Sequence, residues 1–138
     1  MISHSYQIRV NYSDTDKMGF MHHSNYVKIY ENARWETLRH IGIPYSDIEV
    51  QGIFMPVVSM DFKFLKPTFY DEELTVTTII SEIPKSKINF IFELRNNQNQ
   101  IVNRANLSCA FINSVTNKAL RPPTKLIEKI SKLLSIKK

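Results

Sequence analysis

At 138 residues, 43% hydrophobic and 22% charged, the chain suits one soluble domain, 1–138, long enough to enclose a core. No apolar stretch reaches the roughly 18–20 residues that span a bilayer, and the first residues lack the apolar run of a signal peptide. The net charge of +5 arises largely in the tail, where Lys118, Arg121, Lys125, Lys129, Lys132, Lys137 and Lys138 face one acid, Glu128. No zinc-finger spacing, helix-turn-helix signature or RNA-binding aromatic motif turns that surplus toward nucleic acid, and a solvated helix accounts for it. A single cysteine, Cys109, excludes an internal disulfide, and a cytoplasmic location is expected.

In chain order, Ser5 to Tyr12 alternates, with Tyr6, Ile8, Val10 and Tyr12 on one side, which predicts a strand. A polar loop follows. Asn25 to Ile41 then carries Tyr26, Tyr30, Ala33 and Thr37 at helical spacing, widened by Ile29 and Leu38, and stops at Gly42 with Pro44 beyond. Four strand-like runs come next, over 54–66, 73–81, 87–95 and 101–113, with a turn predicted at 96–100. A last helix begins after Pro122 and Pro123, its apolar side formed by Leu126, Ile127, Ile130, Leu133 and Leu134. Short turns favour antiparallel hairpins, and the long helix is the element available to cover the sheet. A curved antiparallel sheet around one long helix leaves an open edge, so self-association is expected.

The loop before the long helix, YSDTDKMGFMHHSNY, holds two aspartates, a glycine and two adjacent histidines. Asp14 and Asp16 both read as turn residues on their own, since Asp readily bonds nearby backbone. Adjacent histidines on a helix diverge by about 100°, so Asp16, His22 and His23 make a poor metal site, and no metal is expected. A carboxylate facing a helix N-terminus suits acyl chemistry, because unpaired helix N–H groups stabilise a developing oxyanion. Gly19 permits a turn with φ > 0 between the two. Glu31 reads as a partner for Arg34 three residues on, and Trp35 as core or subunit contact. Ser24 and Asn25 are both candidate helix caps.

The blocks VNYSDTDKMGFMHHSNYVKIYENAR and GIFMPVVSMDFKFLKPTFYDEELTV resemble the acyl-CoA thioesterases of the 4-hydroxybenzoyl-CoA thioesterase and YbgC-like type, over almost the whole chain. The resemblance implies an α+β hot-dog fold and a cofactor-free hydrolase of coenzyme A thioesters. It places the catalytic carboxylate on Asp16 and the carbonyl-binding position on His23, with Gly19 at the family's glycine. His22 departs from the family, where that position is often aromatic, which bears on the shape of the acyl pocket. Val57, Val58 and Ser59 fall on the segment expected to line the pantetheine arm. The turn at Lys85, Ser86 and Lys87 offers cations for the nucleotide phosphates. A homodimer or homotetramer with the site at a subunit interface is expected, without stable membrane insertion. Action on acyl carrier protein, a dehydratase-like reaction, and a non-catalytic acyl-CoA-binding module are the alternatives. Thiol release from acyl-CoA separates hydrolysis from mere binding.

Overall fold

A computed structural model describes residues 1–136; Lys137 and Lys138 of the basic tail lie outside the described residues. Strand β1 (Ile2–Arg9) leads through one 3-10 turn at Tyr12–Asp14 to the long helix α1 (Ser24–His40). A short helix α2 (Tyr45–Val50) and a two-residue strand β2 (Ile53–Phe54) follow. Then come β3 (Val57–Phe64), β4 (Glu73–Ile80), β5 (Lys87–Arg95), β6 (Ile101–Ala110), β7 (Ile112–Asn113) and helix α3 (Thr124–Ile136). The five long strands form one antiparallel sheet in the order β1-β4-β5-β6-β3, and β2 pairs with β7 beside it. With α1 across it, this is the α+β hot-dog architecture, α3 included.

The period-two pattern sets the sheet's inner face. Leu74, Val76 and Ile80 of β4, Phe90 and Phe92 of β5 and Leu107 and Cys109 of β6 are all buried. Helix α1 answers with Tyr26, Tyr30, Ala33, Thr37 and Leu38. Tyr30 stacks on Phe92 at 4.7 Å between ring centroids and donates its hydroxyl to Asn103 Oδ1 at 2.6 Å. That bond satisfies a phenol whose pKa burial pushes well up.

Several boundaries differ from the sequence expectation. β1 starts at Ile2 and stops at Arg9. Tyr6, Ile8 and Val10 keep the inner side, but Tyr12 is 76% exposed, because Asn11 N donates to Asp14 Oδ2 and Asp14 N donates to Asn11 O, turning the chain out of the sheet. The run over 54–66 is two strands, broken where Pro56 has no N–H to donate; its carbonyl instead accepts Ala110 N at 3.0 Å. The run over 101–113 breaks likewise between Ala110 and Ile112. Helix α2 had no counterpart in the pattern. It is only six residues long, and it is held by buried Ile48 and by Tyr45 stacking on Trp35 at 4.2 Å.

The Glu31–Arg34 pair does not form. Arg34 is 4% exposed, and its Nη1 donates to Cys109 Sγ at 2.9 Å, while Glu31 stays at the surface. Position 34 faces the sheet, and burial rather than local charge decides the partner. Burial also pushes the Cys109 thiol up, against the opposing pull of the Arg34 cation.

Candidate functional site

The loop from Thr15 to His23 is a tight hairpin stitched by the backbone. Thr15 bridges Met21, Asp16 N donates to Phe20 O at 2.8 Å, and Gly19 N donates to Asp16 O at 3.0 Å. Gly19 sits at φ +82, and an added Cβ would meet nothing within 4 Å. Its requirement is therefore the left-handed backbone, not space. The loop is anchored outward by Met21 N on Thr68 O (2.7 Å) and His22 N on Asp14 O (2.7 Å). Asn25 Nδ2 reaches the same Asp14 carbonyl at 2.9 Å. Asp14 thus braces the loop with its main chain while its carboxylate accepts Asn11 N.

Within this frame Asp16 is held by one oxygen. Its Oδ1 accepts Met18 N at 2.8 Å and Phe20 N at 3.3 Å, and Oδ2 has no protein partner among the described residues. A carboxylate gripped on one side and free on the other is oriented without being consumed.

The helix end is equally specific. His23 occupies the N-cap position with helical dihedrals (φ −59, ψ −28) and no side-chain cap. Neither Ser24 nor Asn25 caps: Ser24 Oγ bonds His22 Nδ1 at 2.9 Å, and Asn25 is spent on Asp14. The first-turn donors are nonetheless mostly engaged. Ser24 N reaches His22 Nδ1 at 3.2 Å, Asn25 N reaches His22 O at 3.0 Å, and Tyr26 N reaches His23 O at 3.3 Å. The backbone N–H of His23 alone among these has no protein acceptor among the described residues. The rings of His22 and His23 stack at 4.2 Å rather than converging, and the described residues contain no group of three or more His, Cys, Asp or Glu able to hold a metal.

Asp16 and His23 line one open cavity of about 320 Å³. Phe20, Tyr26 and the end of β3 at Phe64, with Leu65 and Lys66 beyond it, form the remaining walls. Tyr26 packs edge-on against Phe64 at 5.4 Å and shares a hydrogen bond with Thr68 Oγ1 at 3.0 Å. Phe20 meets Phe69 edge-on at 5.4 Å. The β3 wall was not singled out from the sequence. Its one signal is FKFLKP, where Leu65 breaks the strand's alternation just before Pro67.

The other expected residues lie elsewhere. Val57, Val58 and Ser59 open β3, exposed, at the end opposite Phe64. Lys85, Ser86 and Lys87 form the β4–β5 turn around a separate cavity of about 210 Å³. Register puts these two groups together: Val57 and Ile88 both pair with Cys109, whereas Phe64 and Leu94 both pair with Asn103. At about 3.3 Å per residue, the two ends of β3 are roughly 23 Å apart. One chain therefore brings Asp16, Gly19 and His23 together and leaves the Val57–Lys87 group at the far end.

Comparison with known proteins gives a consistent set. The profile of the thioesterase-like superfamily matches residues 10–130. The acyl-CoA thioester hydrolase YbgC of Escherichia coli O6:H1 is 27% identical over 120 residues, covering 87% of this chain and 90% of its own. The acyl-CoA thioesterase YbgC of Haemophilus influenzae is 31% identical over 94 residues, 67% of this chain and 69% of its own. A DHNA-CoA thioesterase from Staphylococcus aureus superposes with a TM-score of 0.92 at 28% identity, covering 99% of this chain and 93% of that one.

Proposed function

The chain belongs to the thioesterase-like superfamily, and from that premise we propose that its hydrolysis of acyl-CoA runs through Asp16 and the helix end at His23. The observation that carries this reading is the pairing of two unspent groups on one cavity, the Oδ2 of Asp16 and the backbone N–H of His23. The thioester carbonyl oxygen accepts from His23 N–H, where the helix N-terminus favours the charge that builds as the carbonyl becomes tetrahedral. Asp16 either removes a proton from water as the water oxygen adds to the carbonyl carbon, or adds to that carbon itself. Collapse breaks the C–S bond, the thiolate of coenzyme A leaves and takes up a proton, and the acid is released; the covalent route adds a second attack by water. This chemistry calls for neither metal nor redox group.

The far-end residues enter through a second copy. No residue of β3 is buried, and Val57, Val58 and Phe64 are 45%, 48% and 56% exposed. That leaves an open edge of strand for another chain to pair with. Two copies joined antiparallel along β3 set the Val57–Ser59 end of one against the Phe64–Lys66 end of the other. The lysines at 85 and 87 then stand on the partner's side of the Asp16 cavity, where the nucleotide phosphates of coenzyme A can be met. The reading is thus of a homodimer with two composite sites, open to further pairing into a tetramer.

Free-thiol release across a panel of acyl-CoA and acyl-carrier substrates tests it. The expected result is turnover of acyl-CoA that Asp16→Asn abolishes. Near-native turnover by a folded Asp16→Asn protein would remove the carboxylate from the mechanism.

A further inference from the structure

A second cavity, of about 230 Å³, shares Met21 as a wall with the Asp16 cavity. Met21 lines both and is 5% exposed. Its backbone is fixed by the bond to Thr68 O and the bridge to Thr15, so the movable part of this partition is its side chain. An unbranched thioether with three rotatable bonds is suited to such a partition, since it changes rotamer at low cost and fills or vacates irregular space.

The second cavity runs between β1 and the flank of α1. Ile8 and Ile29 give it an apolar floor, and its volume is roughly that of eight water-sized groups at ~30 Å³ each. Its polar rim is unevenly committed. Arg9 is engaged with Asp71 and Glu73, Asp14 with Asn11, and Asn25 with Asp14. Lys28 has no carboxylate within 4.0 Å among the described residues, and the Asn32 side chain makes no hydrogen bond among them. The two lie one helical turn apart on α1, on the same flank. An apolar floor thus lies beside an exposed cation and an exposed amide that have no partner among the described residues.

We infer that the cavity behind Met21 receives the distal part of the acyl group, and that it favours an aliphatic acyl chain ending in a carboxylate. Met21 sets access to it, and Lys28 with Asn32 recognises the terminal anion. The inference deepens the reading of the Asp16 cavity as the hydrolytic site and rests on it. Lys28 and Asn32 are exposed at the rim, and a chain-end carboxylate there gains a charge-assisted hydrogen bond that a methyl of equal length cannot make.

The test compares kcat/KM for adipyl-CoA and glutaryl-CoA with that for hexanoyl-CoA and valeryl-CoA, pairwise by length. The wild-type protein is expected to favour the carboxyl-ended member of at least one pair. Lys28→Gln should lower that ratio about tenfold, and Met21→Phe, which fills the passage, should lower kcat/KM for adipyl-CoA at least about tenfold more than for acetyl-CoA. A ratio unchanged by Lys28→Gln, or equal losses on long and acetyl substrates in Met21→Phe, would overturn the inference. A second readout does not need turnover. A non-hydrolysable thioether analogue of adipyl-CoA should shift the methyl resonances of Met21 and Ile29, and the Ile29 shift should be lost with the hexanoyl analogue in which the carboxylate is a methyl. If the esters are hydrolysed and the adipyl analogue leaves Ile29 unshifted, this inference fails alone. If the analogue shifts Ile29 and no ester is hydrolysed, the acyl pocket stands and the hydrolytic reading fails.

Discussion

Strands β1 and β3 are both eight-residue edges of the same sheet, and the chain treats them oppositely. At the start of β1 the inner residues are covered: Ile2 is 4% exposed, His4 lies under His40 of α1, and α3 packs its buried Leu126 and Ile130 on that side, while Tyr6 and Ile8 are half-buried. Along β3 no residue is fully buried, and only Met60 and Phe62 are half-buried against the core. The difference is not one of composition, because β3 carries two valines, a methionine and two phenylalanines in VVSMDFKF. Burying apolar side chains is favourable by about 25 cal/mol per Å², and the exposed Val57, Val58 and Phe64 are the apolar area that the proposed pairing along β3 would cover. The Asp16 cavity opens at one end of that edge and the Val57–Lys87 group stands at the other. On this view one edge closes the fold and the other carries both chemistry and assembly.

The largest expected effect separates the chemistry from both edges. Asp16→Asn keeps the Oδ1 contacts to Met18 and Phe20 within reach of its amide oxygen and removes only the charge. Turnover should fall by ~10²–10⁴-fold, the usual cost of losing a general base or nucleophile. Thermal unfolding, sedimentation and acyl-CoA binding should hardly change. Binding that falls as far as turnover would mean that Asp16 acts in holding the substrate.

Next in size is an attack on the open edge itself. Val58, at the irregularity between Val57 and Ser59, is 48% exposed, so Val58→Lys alters little within one chain. A lysine there is a device that proteins use to stop edge pairing. Sedimentation should show self-association weakened at least tenfold, which is about 1.4 kcal/mol, and specific activity should fall with dilution as dimers part. A variant that is fully active as a monomer would show that one copy makes a complete site. At the far end, Lys85→Ala with Lys87→Ala should raise KM several-fold and leave kcat nearly constant, as expected when contacts are equal in ground and transition states. A fall in kcat instead would place these lysines nearer the reacting carbonyl.

How much of this was legible in the sequence follows from the range of the forces involved. The long helix, the alternation of β4 and β5 and the apolar side of α3 are local periodicities, and they stand where the pattern put them. Breaks at Pro56 and before Ile112 were missed, because apolar residues continue through them while the pairing partner changes from β6 or β3 to the small sheet. The burial of Arg34 was also hidden: a charge three residues from Glu31 looks local until β6 brings Cys109 to it. Within the site, Asp16, Gly19 and His23 lie in one loop, and the family resemblance singled them out; spacing alone left Asp16 readable as a turn residue. Phe64, Leu65 and Lys66 come to the same cavity only through tertiary structure. In the proposed dimer, Val57 and Lys87 would reach that cavity from a second chain, an arrangement no local pattern encodes.

A smaller effect refines the helix-end assignment. His23→Ala leaves the backbone N–H in place, and the imidazole bonds nothing in the protein among the described residues, only stacking on His22. Turnover should drop by less than about tenfold, well below the loss of an oxyanion donor, which is ~10²–10³-fold. A loss as large as that of Asp16→Asn would move the catalytic contact from the backbone to the ring.

The smallest effect belongs to the closed edge and concerns stability alone. His4 on β1 stacks on His40 of α1 at 4.5 Å, and its Nδ1 has no hydrogen-bond partner among the described residues. Desolvation, followed by the proximity of His40, lowers the His4 pKa from 6.5, with Glu36 of α1 opposing. Tyr6 beside it on β1 contributes no charge near neutrality; its own phenol is raised by burial. Arg39, next to His40 in α1, pairs with Glu36, and Lys129 of α3 lines the same cavity as His40. Between the lowered pKa and 6.5 the unfolded chain binds more protons than the folded one, so stability rises with pH across that window. It is complete above about 6.5 and declines as the pH falls toward the folded-state value. The midpoint of thermal unfolding should therefore drop slightly more steeply below pH 6.5 in the wild-type protein than in His4→Phe, which keeps the stack and loses the titration. The difference should stay under about 3 °C, because the imidazole is only partly desolvated. Glu36→Gln removes the opposing charge and should steepen the wild-type slope. If His4→Phe and wild type ran parallel from pH 7.5 to 5.5, the β1 edge would be closed without any cost from its histidine, and none of the acid sensitivity would come from that seam.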